Sequence, residues 1–221
     1  MLPQFASVVD RIRVAYLQPA EMRPGLIRAI ADTPGVAHYF DLSFQHASGP
    51  VLKRMRRFGD KDAFLGLIDS IRELQPEAGI RSNFIVGFPG ETEDDVDVLA
   101  SFLEAAQLDA IGVFAYSNED GTEAATFEDQ LDEDMIDERF ARISELAEQL
   151  VLQRAEDRIG TVVEVLIEAV DDHGVGEGRA PHQGPDDAST IVRSARELQV
   201  GQLVIARIVD TDGADLIGDV L

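Results

Sequence analysis

The chain has 221 residues, a formal net charge of −23 and no cysteine. With 45% hydrophobic and 28% charged residues, it has the composition of a folded chain long enough for one large domain, or a modest domain plus a small one. So acidic a surface repels phosphate backbones, and the missing thiols exclude disulfides, thiolate zinc sites, a cysteine nucleophile and cysteine-ligated iron–sulfur clusters within this chain.

In chain order, the first two-thirds alternate short apolar strands with amphipathic helices. Ile12–Leu17 reads as a strand ended by Gln18 and Pro19, and Leu26, Ile27 and Ile30 give a short helical face. Tyr39–Gln45 is the next strand, followed by a short helix over Pro50–Arg57. Asp62 can cap a helix whose Phe64, Leu67, Ile68 and Ile71 recur with helical spacing. Arg81–Val86 is the third strand. Thr92–Asp95 has the form of a capping box, with Val96, Leu99, Ala100 and Leu103 as the buried stripe behind it. Ala110–Tyr116 is the fourth strand. A long helix then runs from about Glu133 to Ile159, with Ile136, Phe140, Ile143, Ala147 and Leu150 on one side. Such alternation predicts parallel strands with helical crossovers, an α/β sheet or barrel.

Gly160 marks a change of pattern, and the domain boundary is expected there, between 1–159 and 160–221. Short β-rich runs follow at Val162–Ile167, Thr190–Val192, Leu203–Val209 and Leu216–Val220. Turns fall at Asp172–Gly174, Gln183–Asp186 and Asp212-Gly213, so a small β-barrel is expected. No apolar run approaches bilayer length and Met1–Asp10 lacks the features of an export signal, so a cytoplasmic location away from membranes is expected.

Three segments can carry chemistry. In Arg81–Thr92 a strand runs into a tight turn holding Gly87, Pro89 and Gly90, where backbone can approach a ligand closely at the strand end. The same residues also read as a plain turn and helix cap. Asp41–Ser48 delivers Gln45 and His46 at a second strand end, with His46 an acid/base, a ligand or a hydrogen-bonding element. Phe114–Asn118 presents Tyr116 at the same rim. Beyond it, Glu119–Glu138 holds ten acidic and no basic residues, the pattern of a solvated face. Lys53–Arg57 is the single basic cluster, able to meet a phosphate or to balance nearby carboxylates.

Together these segments resemble the radical-SAM methylthiotransferases. Phe84–Thr92 looks like the family's adenosylmethionine-binding strand and turn, and Phe40–Ser48 with Val51–Arg57 like the barrel strand and helix before it. Tyr116–Thr122 looks like the next rim loop, and Gly160–Leu221 resembles the TRAM domain. The implied fold is the C-terminal part of a radical-SAM, partial TIM-like barrel followed by a small all-β, OB-like TRAM barrel. Within the family, Gln45–Ser48 and Gly178–Asp186 are similar to the branch that methylthiolates an aspartate of the small-subunit ribosomal protein S-twelve. The alternatives are the tRNA-modifying, MiaB-like branch and a non-catalytic protein-binding fragment. From Gly160 to Leu221 there are four basic and twelve acidic residues, which suits a basic protein partner better than RNA.

The resemblance implies S-adenosylmethionine and four-iron four-sulfur clusters as cofactors. One adenosylmethionine methylates a sulfur; a second, cleaved at a cluster, gives a radical that takes hydrogen from the aspartate β-carbon. By position, Gln45, Ser82, Asn83, Gly87, Pro89, Gly90 and Tyr116 are the expected adenosylmethionine-binding residues. The family's Cys-x3-Cys-x2-Cys loop and its N-terminal domain have no counterpart here, so the expectation is a C-terminal half that is inactive alone and has an open first strand edge. A phosphate-binding α/β enzyme using the Gly87–Gly90 turn is the reading from outside the family.

Overall fold

The computed structural model describes residues 2–221. A short helix α1 (Leu2–Ala6) precedes four strand–helix units: β1 (Ile12–Leu17) with α2 (Pro24–Asp32), β2 (Val36–Leu42) with α3 (Gly49–Arg54) and α4 (Lys61–Leu74), β3 (Gly79–Val86) with α5 (Glu93–Ala106), and β4 (Ala110–Ala115) with α6 (Glu133–Glu156). Five strands follow: β5 (Val162–Val170), β6 (Gly176–Arg179), β7 (Thr190–Arg193), β8 (Leu203–Asp212) and β9 (Asp215–Val220). The first four strands form an open parallel sheet in the order β1-β2-β3-β4, and the last five a closed barrel in the order β5-β6-β7-β9-β8.

The parallel sheet arises because each strand is followed by an amphipathic crossover helix that packs back on one face. In β3 the residues alternate: Ile80, Ser82, Phe84 and Val86 are buried, while Arg81, Asn83 and Ile85 are half-buried on the opposite face. Under the helices Phe44, Phe64, Phe84 and Phe102 form an aromatic cluster, with ring centroids 4.3 Å apart for Phe44 and Phe64 and 5.5 Å for Phe44 and Phe102. Each such ring removes enough apolar surface from water to contribute about 1.5–3 kcal/mol. β1 pairs only with β2 and β4 only with β3, so both edges of the sheet are open among the described residues.

The elements differ from the sequence expectation where local chemistry overrides periodicity. β2 ends at Leu42 rather than Gln45, because Gln45 takes a left-handed backbone (φ 69°) and makes a single bridge to Phe84. α3 stops at Arg54 rather than Arg57, since Arg56 is left-handed as well (φ 56°). Asp60, not Asp62, caps α4 by accepting from the Ala63 amide. The Thr92–Asp95 capping box is present as read. α6 ends at Glu156, and its expected apolar side is corrected at one place: Phe140 is exposed and Arg139 is buried.

β6 escapes the sequence pattern because Gly-Glu-Gly-Arg carries no strand-forming side chain. Glycine is required there for a close approach: a Cβ at Gly178 would lie 2.0 Å from the Leu166 carbonyl oxygen. The barrel closes through parallel pairing of β7 with β9 and antiparallel pairing of β5 with β8. Its interior is Val165, Ile167, Val192, Leu198, Val204 and Ala206, while Ile208 and Leu216 pack against Ala155 of α6.

A polar seam joins the two sheets. Asp109 receives the Arg154 and Arg158 guanidiniums, and Asp187 in the β6–β7 loop accepts from Tyr39 (2.8 Å) and pairs with Arg81 (3.0 Å). Burial alone would raise the Asp109 carboxyl, but Arg158 and Arg154 outweigh it and hold it below the usual carboxylate range. His182, buried in the seam, is pushed down to about 3, first by desolvation and then by Arg158.

Candidate functional site

Parallel sheets present side chains and loops at the carboxyl ends of their strands, and here that rim gathers Gln45, the Gly87–Gly90 turn and Tyr116. The turn is built from within. The Gly87 amide lies 3.0 and 3.1 Å from the two Glu91 carboxylate oxygens, and Arg139 of α6 donates to Oε1 at 2.9 Å and to the Glu91 carbonyl at 3.0 Å. His46 brings Nε2 to 3.3 Å from Glu91 Oε2, off the direction of a good hydrogen bond. Its Nδ1 accepts from the Ser48 amide at 2.9 Å, so the ring proton sits on Nε2, facing the carboxylate. All three side chains are at most 8% exposed.

This network extends to α5. Ser48 donates to Asp95, which also accepts from the Thr92 amide (2.9 Å) and hydroxyl (2.7 Å). Burial would raise the Asp95 carboxyl, but the bonds from Ser48 and Thr92 prevail and hold it low. The arrangement makes His46 a brace rather than a group offered to a ligand. It also fills the turn: its first amide is already taken by a carboxylate, so the Gly87–Gly90 backbone is not an open phosphate cradle. Both glycines have left-handed φ (80° and 76°), and a Cβ would collide with Ile136 at Gly87 and with Arg54 at Gly90.

In front of the turn, Gln45, Ile85 and Phe88 line a cleft of about 260 Å³ with Arg54, Arg56, Phe127 and their neighbours. Phe88 stacks edge-on against Tyr116, with centroids 5.3 Å apart. The Tyr116 amide bonds the Val86 carbonyl at 2.8 Å, extending β4 along β3. The Tyr116 hydroxyl and Asn83 Oδ1 are buried with no hydrogen-bond partner among the described residues. Asn83 Oδ1 stands over Gly112, where a Cβ would come within 2.3 Å of it. Gln45 lines the cleft itself, whereas Asn83 and Tyr116 are not among its lining residues, and Tyr116 borders it only through its contact with Phe88.

Ser82 does not reach the cleft. It is fully buried under the helices, where its hydroxyl accepts from the Phe44 amide at 3.2 Å. Gly87, Pro89 and Gly90 shape the turn from behind. The acidic segment after β4 is not merely solvated: the Gly90 amide donates to the Asp129 carbonyl (2.7 Å), and Phe127 lies between Phe88 and the Arg54 guanidinium. Sequence reasoning missed Glu91 and Arg139. The available signal was an arginine within the apolar side of α6, between Ile136 and Ile143.

Comparison with known proteins places these features in context. Residues 6–103 match the radical SAM superfamily and residues 159–221 the TRAM domain. The chain is 59% identical over 98% of its length to the ribosomal protein uS12 methylthiotransferase RimO of Saccharopolyspora erythraea. It is 57% identical over its whole length to the protein of that name from Streptomyces coelicolor. It spans 45–46% of the length of these relatives. Among solved structures it is similar in fold to coproporphyrinogen III oxidase (HemN) from Escherichia coli, a radical SAM enzyme. The TM-score is 0.50 at 17% identity, covering 62% of this chain and 32% of that one.

Proposed function

The chain belongs to the radical-SAM methylthiotransferase family, of whose relatives it spans about 45% of the length, and from that premise we propose that it binds adenosylmethionine and presents a protein substrate within such an enzyme. The substrate in this reading is an aspartate of ribosomal protein uS12. The observation that supports uS12 as the target is 59% identity across 98% of the chain to a protein named as a uS12 methylthiotransferase, and the aspartate is what the family resemblance implies. The acidic module after Gly160, with four basic and twelve acidic residues, supports a basic protein partner over tRNA.

Adenosylmethionine fits the residues present. Gln45, Ile85 and Phe88 line the cleft, and Asn83 Oδ1 and the Tyr116 hydroxyl are buried polar atoms in need of partners. When bound, it supplies the methyl group and the hydrogen-abstracting fragment of such chemistry. Gln45, Asn83 and Tyr116 would hold its polar groups, and Phe88 would pack beside it. Ser82, Gly87, Pro89 and Gly90 would act from behind by fixing the strand and turn. Glu91, Arg139 and His46 would keep that turn rigid, so that no binding free energy is lost in ordering it.

The residues do not fit an iron–sulfur cluster. There is no cysteine, and among the described residues no cluster of three or more metal-ligating side chains occurs. In this reading the ligands come from a separate cysteine-bearing segment or polypeptide, and the chain alone is inactive. The test is mass spectrometry of uS12 and of tRNA after incubation with the chain, alone and together with a cluster-loaded, cysteine-bearing polypeptide of the family. Methylthiolated uS12 only in the combined reaction is the expected result. Modified tRNA would move the chain to the other branch, and modification by the chain alone would overturn the predicted inactivity.

A further inference from the structure

The helix α3 ends in a way that sequence economy does not favour. Its last turn closes with the Arg57 amide on the Leu52 carbonyl (2.7 Å) and the Arg56 amide on the Lys53 carbonyl (3.1 Å), the bond pair of a Schellman motif. The left-handed position in that motif belongs by conformational preference to glycine, yet Arg56 occupies it at φ 56°. The turn throws two consecutive guanidiniums onto the rim, in a chain whose net charge is −23.

Their surroundings differ. Arg54 pairs with Asp129 at 2.9 Å and Arg56 with Glu123, both from the acidic segment after β4. These are exposed pairs, readily exchanged for another anion. Arg57 meets no carboxylate within ion-pair distance among the described residues; its Nη1 donates to the neutral Gln18 Oε1 at 3.2 Å, which orients the fork. Met55, Arg56 and Arg57 line both the cleft holding Gln45 and Phe88 and an adjoining cavity of about 400 Å³. The second cavity is walled by Gln18–Glu21, Ser43 and Phe58, and the Phe58 ring is 69% exposed. Glu21 is its one carboxylate.

The geometry points to the Arg56–Arg57 pair as the receptor for a ligand carboxylate at the mouth of the cleft, with Arg57 the primary contact and Glu123 yielding Arg56 when the ligand arrives. This rests on the reading above, under which two ligands bring a carboxylate: the target aspartate and the amino-acid end of adenosylmethionine. A planar guanidinium fork suits either. The aspartate is the source assigned here, because the pair opens outward into the second cavity beside an exposed aromatic ring, as a protein loop would require.

The experiment uses the full chain and two fluorescent basic peptides, identical except for one central aspartate or asparagine. Nonspecific attraction to an acidic protein favours the asparagine peptide, which carries one negative charge fewer, so a preference for aspartate is diagnostic. The expected result is about tenfold tighter binding of the aspartate peptide, a preference that Arg57→Gln removes and Arg57→Lys partly restores. Circular dichroism establishes that each variant is folded. Adenosylmethionine binding, followed by calorimetry on the same variants, separates the sources. If Arg57→Gln weakens adenosylmethionine and the peptides are bound alike, the carboxylate site stands and its ligand is the cofactor. If the wild type prefers aspartate and the Arg57 variants keep that preference, the arginine assignment falls while the substrate reading survives. A wild-type chain that binds neither peptide nor adenosylmethionine overturns both.

Discussion

The two sheets of this molecule treat their edges in opposite ways. The small barrel closes on itself, β7 against β9 and β5 against β8, and needs no other element to satisfy its strands. Among the described residues the parallel sheet stays open at β1 and β4, with Tyr16 79% and Phe114 54% exposed on those edge strands. The consequence lies in where each region keeps its charge. The barrel carries acid on its outside as a solvated surface. The sheet brings charge inward, at the Glu91 brace and at Asp109 in the seam, where the barrel's Asp187 meets Arg81 and Tyr39, and these contacts hold rigid a sheet that closure does not.

The largest effect should come from the brace. Arg139→Ala leaves the Glu91 carboxylate buried without its main counter-charge and should cost about 3–5 kcal/mol. Urea unfolding measures the loss, and hydrogen exchange should place it at the Gly87 amide and α5 with the barrel amides unchanged. Equal loss of protection in the barrel would mean that the two regions fold as one unit.

Asp109→Ala tests the seam. It leaves Arg158, whose side chain is 3% exposed, without its buried partner, and should cost about 3 kcal/mol. Calorimetry should then show the transition of the parallel sheet lowered and moved further from that of the barrel. The seam also has a pH signature. His182 is held neutral in the fold and protonates more readily once unfolded, so stability is full above about pH 6.5 and falls toward pH 3. Asp109, held low by Arg158 and Arg154, adds its own loss below the ordinary aspartate range. His182→Gln should flatten the upper part of that decline.

Smaller effects sharpen the contrast at the rim. Arg56→Gly removes a left-handed side-chain residue and should stabilise the chain by about 1 kcal/mol, read as a higher urea midpoint. A gain in stability from deleting a rim arginine is what a residue kept for binding predicts. Arg142 pairs with Glu93 and Asp97 on the exposed side of α5 and α6. Arg142→Ala should change stability by less than about 1 kcal/mol, and less still at high salt.

Much of the fold was legible in the sequence. The strand–helix alternation, the Thr92 cap and the change to short strands after Gly160 follow from periodicity and turn chemistry, which act over a few residues. What was misread involves distant partners. Phe140 and Arg139 fit the helical spacing of α6 equally well and only apolar character favoured Phe140, yet Arg139 is the buried one, because Glu91, far away in sequence, lies on its side. The sequence left His46 open between an acid/base, a ligand and a hydrogen-bonding element, and the Ser48 amide on its Nδ1 bears out the last. Only its neighbours Ser48 and Glu91 make it a brace.

Composition and local pattern alone settled the acidity, the absence of any thiolate ligand, the parallel α/β part and the β-rich part with their turns. Tertiary structure decided which groups at the rim remain available to a ligand. It gave the Gly87 amide to Glu91, turned Ser82 under the helices, left Asn83 and Tyr116 with buried polar atoms to satisfy, and held Arg57 to a neutral partner. The reason is physical: propensity and periodicity are short-range, whereas the state of a buried charge or polar atom depends on whichever groups folding brings within a few ångströms of it.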